Sequence, residues 1–415
     1  MALRTYLGST FKSLRVRDYR RYFVGQSVSV VGTWMQKVAQ ALLVLDLTDS
    51  AVMLGVTVAL QQIPTLLLTP VGGVVADRFP RRNILLVTQA AAVLPALVLG
   101  ILTLGGWVRI EIVLVLALTL GVIDAIDKPA RLTFVSVLVE DHDLTNAVTL
   151  NNTVQNVGKV VGPALAGLAI DTVGLGWSFL ANAASFVAVL VGLWLIRPIV
   201  HREHDARSGG RTGTVRESLR YVGGRRDLLA PMVLMTVSGL LAYNWQVVLP
   251  IFARDSFGGD AQAVGMMFTA MGVGAVVGGL SLAGSMRAST GVLTVTSVVF
   301  AALMLLASVA PTLVLAYVAM VLLGASSVSF RTLATSALQL AAEPAMRGRV
   351  VSLLILATNG TTPIGGPLMG WICETSSPRI ALAVGGVGTA LAALGARVHL
   401  GRGRVTEPRD VVDVT

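Results

Sequence analysis

The sequence is poor in charged residues and almost free of cysteine. Only 13% of its 415 residues are charged, 54% are hydrophobic, and the mean hydropathy is +0.76. So little charge cannot cover the surface of a soluble protein of this length, whereas apolar runs of about 20 residues can each cross a bilayer as a helix. The runs are too long for barrel strands. The chain is therefore predicted to be an all-α membrane protein.

Other absences exclude further functions. With Cys373 as the only cysteine, no intramolecular disulfide can form. The sequence has no Gly-x-x-x-x-Gly-Lys-Ser/Thr loop for ATP, and His201 and His204 have neither the spacing nor the partners for zinc. The net charge of +10 lies in short clusters without interleaved aromatic residues, which argues against nucleic acid. No nucleophile and base can be matched, so no enzyme activity, metal or cofactor is expected.

The apolar pattern predicts twelve transmembrane helices in two groups of six. The first group covers residues 22–46, 51–76, 83–104, 110–138, 145–170 and 177–196. The second covers residues 228–252, 262–285, 290–309, 312–340, 348–373 and 380–396. This predicts an N-terminal six-helix bundle (1–196), a linker with eight arginines (197–227) and a C-terminal six-helix bundle (228–415).

Basic residues predict the orientation of the spans. Most of the 32 lysines and arginines lie in the tails, loops and linker on one side of the predicted spans. Outside the spans, the opposite side carries only Arg109, Arg254 and Arg379. Cytoplasmic loops are enriched in lysine and arginine. Both termini and the linker are therefore predicted to be cytoplasmic.

The two groups of spans repeat each other. Gly162-Pro163 in the fifth span is matched by Gly366-Pro367 in the eleventh, about 204 residues later, and Gly121 is matched by Gly324 at nearly the same offset. Parallel six-helix repeats of this kind occur in secondary transporters, with the substrate site between them.

A charge cluster lies between the second and third spans. Residues 73–82 read Gly-Val-Val-Ala-Asp-Arg-Phe-Pro-Arg-Arg. This resembles the Gly-x-x-x-Asp-Arg-x-Gly-Arg-Arg loop of the major facilitator superfamily, although Pro80 replaces the usual glycine. The resemblance implies a gate formed by Gly73, Asp77, Arg78, Arg81 and Arg82, which in the family bridges the second helix to the eleventh and stabilises the outward-facing state.

The resemblance covers nearly the whole chain. It is strongest to a branch of small bacterial exporters that includes enterobactin and macrolide exporters, through Gly25-Gln26-Ser27 to Trp34, Pro129-Ala130-Arg131 and Arg347-Gly348-Arg349. Ala117 stands where many proton antiporters carry an arginine, so the resemblance does not assign the proton route.

The fifth span combines a polar face with small residues. Asn151, Gln155 and Lys159 are four residues apart and share one face with Asn156 beside them, so they face water, a substrate or other helices. The same span resembles the fifth-helix motif of proton-coupled exporters, and the alternative is a seam of small residues that packs helices. The motif residues are Gly158, Gly162, Pro163 and Gly167.

Charged side chains in the fourth and first spans are candidates for proton coupling. Asp124 and Lys128 are four residues apart, as are Asp127 and Arg131, so each pair can close along the helix. Mutual neutralisation is one interpretation, and proton relay through Asp124 or Asp127 is the other. Lys37 in the first span needs a carboxylate, a cavity or an anionic substrate, and Asp124 is one candidate partner.

The second bundle supplies candidates for substrate binding. Tyr243-Asn244-Trp245-Gln246 in the seventh span suits an amphipathic organic molecule, although aromatic residues also anchor helices at membrane interfaces. Arg331 and Asn359 are weaker candidates for the cavity lining.

These observations predict export of a small amphipathic molecule, driven by the proton gradient, by a monomer in the bacterial cytoplasmic membrane. A lipid or lysolipid flippase of the same fold is the alternative within transport. A membrane sensor or scaffold without transport activity is the alternative from another class. The sequence does not identify the substrate.

Overall fold

The computed structural model describes residues 11–196, 215–282 and 290–401, and within these ranges it is helical without strands. The first six spans are Arg17–Thr48, Ala51–Arg78, Arg81–Leu104, Ile110–Leu138, Asp141–Val173 and Leu175–Leu195. A short helix, Val215–Gly223, precedes the second half. The remaining spans are Arg226–Leu241 with Trp245–Phe257, Ala261–Leu282, Thr290–Ser308, Leu313–Ala341, Arg347–Asn359 with Thr362–Thr375, and Pro378–Gly401.

This arrangement confirms the predicted twelve-span fold. Within the described ranges, eight helices are each long and apolar enough to cross a membrane, and the bent pair of the seventh span adds a ninth. The fourth and fifth spans fall short of that test because charged and amide side chains interrupt their apolar surface. The eleventh is divided into two shorter helices.

The prediction of continuous seventh and eleventh spans is wrong. The seventh bends by 42° between Leu241 and Trp245. There the side-chain amide of Asn244 donates to the Leu240 carbonyl at 2.7 Å, so a side chain replaces the next backbone bond of the helix. The eleventh is interrupted at Gly360 and Thr361. The predicted eighth span also reached 285, but its helix is described only to Leu282, and 283–285 lie outside the described residues.

The halves meet along two seams. The second span packs on the eleventh, and the fifth packs on the eighth. At Gly55 a side chain would come within 2.5 to 2.7 Å of the backbone of Gly366 and Pro367, so only glycine permits this approach. Gly265 likewise lies against the Pro163 carbonyl.

The bundle has two ends, the linker face and the far face. The linker face is the end where the first span begins at Arg17, the second turns into the third at Phe79, and the seventh begins at Arg226. The far face is the opposite end, where the first span ends at Thr48 and the eleventh ends at Thr375.

Candidate functional site

Polar contacts between the halves are confined to the far face and the middle of the bundle. Arg254 pairs with Asp49 at 2.5 Å. The Glu374 carboxylate accepts from the Ser50 hydroxyl at 2.7 Å and from the Val52 N–H at 3.1 Å. Nearer the middle, the Thr269 hydroxyl donates to the Val160 carbonyl at 2.9 Å.

A space between the halves, called the central cavity, has a volume of about 610 Å³. Trp34 and Lys159 contribute from the first half. The second half contributes every candidate predicted there: Tyr243, Asn244, Trp245, Gln246, Arg331 and Asn359. The structure thus brings the predicted aromatic and amide cluster together with the fifth-span lysine on opposite walls of one cavity.

Aromatic packing positions the wall formed by the seventh span. Tyr243 stacks on Phe300 with ring centroids 5.6 Å apart and meets Trp245 edge to face at 6.4 Å. The guanidinium of Arg331 lies 5.5 Å from the Tyr243 ring centre, within the range of a cation–π contact. Tyr243 and Trp245 lie at the break in the seventh span and line the cavity there. The predicted span gave no sign of this break.

A second cavity, called the N-half chamber, lies within the first bundle and has a volume of about 230 Å³. Lys37, Asp124, Asp127 and Gln155 line it, and Trp34 is shared with the central cavity. The polar face of the fifth span is therefore divided between the two cavities. The side-chain amide oxygen of Asn156 accepts from Lys159 at 3.4 Å, whereas half-buried Asn151 lines neither cavity.

The two carboxylates of the fourth span have different surroundings. Asp124 pairs with Lys128 at 3.0 Å, and its side chain is 39% exposed. Asp127 is only 4% exposed and receives both Nε, at 2.8 Å, and Nη2, at 2.5 Å, of Arg131. Its other oxygen accepts from Thr88 at 2.7 Å and Gln89 at 2.8 Å.

Lys37 does not pair with Asp124. Its ammonium group lies 4.3 Å from the centre of the Trp34 ring, and no carboxylate lies within ion-pair distance of it among the described residues. A cation–π contact is the interaction that the structure provides for this buried amine.

Sequence reasoning missed the amides of the N-half chamber. The lining includes Gln26, Gln36, Gln40, Gln61 and Gln89. Asn182 of the sixth span donates to Gln36 at 2.6 Å. The available signal was the repeated glutamine within apolar segments, since a buried amide needs a partner or water.

The predicted gate lies at the linker face in an unpaired state. Asp77 and Arg78 are exposed and have no hydrogen bond or ion pair within the described chain. Arg82 donates to the Leu193 carbonyl at 2.8 Å and anchors the loop to the sixth span, whereas the buried Nε of Arg81 has no acceptor. At Gly73 a side chain would meet nothing within 4 Å, so this glycine has no packing role in the present state.

The small residues of the fifth span form a packing seam. A side chain at Gly158 would meet Val30, and one at Gly162 would meet Trp34 at 2.5 Å, so both bring the first span close. Gly167 instead faces Gln262 of the eighth span at 2.8 Å. A side chain at Gly272, in the eighth span, would lie 3.2 Å from the backbone oxygen of Lys159. No group of three metal-ligating side chains occurs in the described part of the chain.

Known proteins share this architecture. The solved nucleoside transporter NupG superposes with a TM-score of 0.74 at 12% identity, and the match covers 92% of this chain and 99% of that one. This likeness shows the fold, two six-helix halves with a cavity between them, which is the major facilitator fold.

The sequence comparisons give the family. Residues 8–412 match the transmembrane secretion effector family of the major facilitator superfamily, and the chain belongs to it. The staphyloferrin A transporter of Staphylococcus aureus is 24% identical over 355 residues, covering 84% of this chain and 88% of the relative. The enterobactin exporter EntS of Escherichia coli is 27% identical over 382 residues, covering 89% of this chain and 88% of the relative. The protein is a multi-pass membrane transporter of the efflux type.

Proposed function

We propose that the protein exports a siderophore, or a metabolite of similar chemistry, in exchange for protons by alternating access. The central cavity between the halves carries the proposal. We infer that it opens at the linker face, because the polar contacts that join the halves lie at the far face and in the middle of the bundle. Two relatives that match most of this chain are a staphyloferrin A transporter and an enterobactin exporter, and this supports the same substrate class here.

The linker face is proposed to be cytoplasmic. Arg15, Arg17, Arg20 and Arg21 lie at the start of the first span and Arg225 lies at the start of the seventh, and such positive clusters favour the cytoplasmic side. The present state then faces inward, and the central cavity is the loading site for a cytoplasmic substrate.

Asp124 is proposed to carry the proton. It is half-exposed in the N-half chamber, and its one ion-pair partner is Lys128 on the same helix. Protonation of Asp124 frees the Lys128 ammonium and changes the charge of the chamber by one unit. Asp127 is a poorer candidate, because four donor atoms already occupy its buried carboxylate.

Closure of the linker face is proposed to use Asp77. This carboxylate lies at the C-terminal end of the second span, where the dipole of its own helix disfavours negative charge. The eleventh span begins at Arg347 on the same face, and its N-terminal end favours a carboxylate. One chain supplies both cavity walls and both gates, which supports a monomer as the working unit.

Deletion in the source organism tests the proposal. Under iron limitation we expect less iron chelator in the medium, more inside the cells, and recovery by the wild-type chain. Asp77→Asn should restore release only in part at matched protein levels. Arg109→Gln, which changes an exposed cation at the far face, should restore it. Unchanged release after deletion contradicts the proposed function.

A further inference from the structure

The central cavity is lined by cations without counter-charges. Lys159 lies on the wall of the first half and Arg331 on the wall of the second. No aspartate or glutamate lines this cavity, and neither cation forms an ion pair among the described residues. Within the described chain, the Lys159 ammonium has the side-chain amide oxygen of Asn156 at 3.4 Å, and the Arg331 guanidinium has the face of Tyr243.

The N-half chamber does not supply the missing negative charge. Its carboxylates are Asp124 and Asp127. Each is already paired on its own helix, with Lys128 and Arg131. The space between and within the halves therefore has an excess of positive charge, to which Lys37 adds one further cation.

Unpaired cations in a membrane protein are costly unless water or a ligand neutralises them. An anion meets this requirement, whereas a cationic substrate adds repulsion in a medium of low dielectric constant. The remaining lining suits an oxygen-rich aromatic anion, because Gln246 and Asn359 offer amide donors. The buried indole N–H of Trp245 has no acceptor in the described chain.

We propose that the central cavity binds an organic dianion, with one acidic group at Lys159, the other at Arg331, and its apolar part against Trp34 and Tyr243. This inference rests on the proposed function and specifies the charge and shape of its substrate. Each half contributes one cation, so an empty cavity resists closure of the linker face by repulsion. A bridging dianion neutralises both groups and favours closure around itself.

The test uses three probes with one fluorophore: dansyl-glutamate, its neutral dimethyl ester and the cationic dansylcadaverine. They are titrated against the full-length protein in nanodiscs, with dansyl fluorescence as the readout. We expect dansyl-glutamate to bind, and the ester and dansylcadaverine to bind at least about tenfold more weakly, since each charge-assisted contact contributes roughly 1.5–3 kcal/mol.

The variants separate this site from general attraction by a basic protein. Lys159→Gln and Arg331→Gln should each weaken dansyl-glutamate binding about tenfold or more and leave the weak binding of the ester unchanged. Lys159→Arg and Arg331→Lys keep the charge and should retain most of the affinity, which also controls for misfolding. Arg109→Gln, outside the cavity, should bind as the wild type does.

Two results overturn the inference: no preference for dansyl-glutamate over the ester or the cation, or wild-type affinity in both glutamine variants. Loss of anion selectivity in a protein that still exports a metabolite rejects this inference alone. Anion binding by a protein whose deletion leaves chelator release unchanged rejects the proposed function alone.

Discussion

At the scale of single residues, Asp124 and Asp127 show how the surroundings separate two identical groups. They lie three residues apart on one helix, yet Asp124 is 39% exposed with one ion-pair partner, and Asp127 is 4% exposed with donors from three side chains. A group with water access and one weak partner can exchange a proton. A group enclosed by donors holds the third and fourth spans together.

We expect Asp124→Asn to abolish export driven by a pH gradient while substrate binding and protein yield stay near those of the wild type. The amide has the shape of the carboxylate but cannot bind and release a proton. Transport into proteoliposomes with an imposed gradient, and binding measured separately, check this. Recovery of export by Asp124→Asn with Lys128→Gln would show that Asp124 only neutralises its neighbour.

We expect Asp127→Asn to impair the protein in a different way, by lowering the stability of its fold. It leaves the Arg131 guanidinium, whose side chain is only 19% exposed, without its carboxylate. Breaking a buried pair by removing one partner costs about 3–5 kcal/mol. We expect a lower yield and a lower melting temperature in detergent than for Asp124→Asn, which serves as the matched control. Equal melting temperatures would contradict a structural role for Asp127.

The sequence predicted part of this site. The pairs of the fourth span follow from a spacing of four residues, which places side chains on one helical face. Thr88 and Gln89 could not be predicted as partners of Asp127, because they come from the third span and only packing brings them near. The partner of Lys37 could not be predicted either, because Asp124, the candidate, pairs with Lys128 on its own helix.

At the scale of elements, the second and eleventh spans each carry a carboxylate on the face where the other span begins. At the far face, Glu374 of the eleventh span accepts from Ser50 and Val52 at the start of the second. At the linker face, Asp77 of the second span lies on the side where the eleventh begins. The first contact is formed and the second is open, so the two contacts alternate if the halves rock.

We expect Glu374→Gln and Asp77→Asn to shift the conformational equilibrium in opposite directions. A carboxylate at a helix N-terminus contributes about 0.3–1 kcal/mol, or roughly a two- to fivefold change in population. Glu374→Gln should favour the state that is open at the far face, and Asp77→Asn the state that is open at the linker face.

Spin-label distances in a Cys373→Ser background measure this shift. Labels at positions 111 and 311 report on the far face, and labels at positions 141 and 345 on the linker face. Asp260→Asn is the control, because that carboxylate caps its own span at Ala263. A shift in the same direction for both gate variants would refute alternation between these two contacts.

The element boundaries show where a sequence is informative. Long apolar runs predicted the twelve spans, because burying a helix in lipid requires an unbroken apolar surface. The same runs hid the breaks in the seventh and eleventh spans. At Asn244 the cause is a side-chain hydrogen bond, and the Gly239 backbone lies against Thr358 and Thr361 of the other broken span. The Gly239 contact depends on the assembled bundle, whereas the Asn244 bond is local to its own span.

At the scale of the whole molecule, the two halves have different tasks. The first half holds the N-half chamber with both paired carboxylates, and the second half holds the broken spans and the aromatic wall. The first half contributes Trp34, Val58, Gln62 and Lys159 to the central cavity. Protons and substrate are therefore expected to act on separate sites that communicate through the fifth and first spans.

The excess of cations in the central cavity has an electrical consequence. If the cargo is a dianion that leaves the cell while protons enter, both movements carry positive charge inward. An inside-negative membrane potential then drives both, by about 2.3 kcal/mol per charge for each 100 mV. Export should continue without a pH gradient when a potassium diffusion potential, negative inside, is imposed on proteoliposomes. On solid-supported membranes each turnover should give a current of that sign, and a silent or reversed current would show that the cargo does not carry negative charge outward.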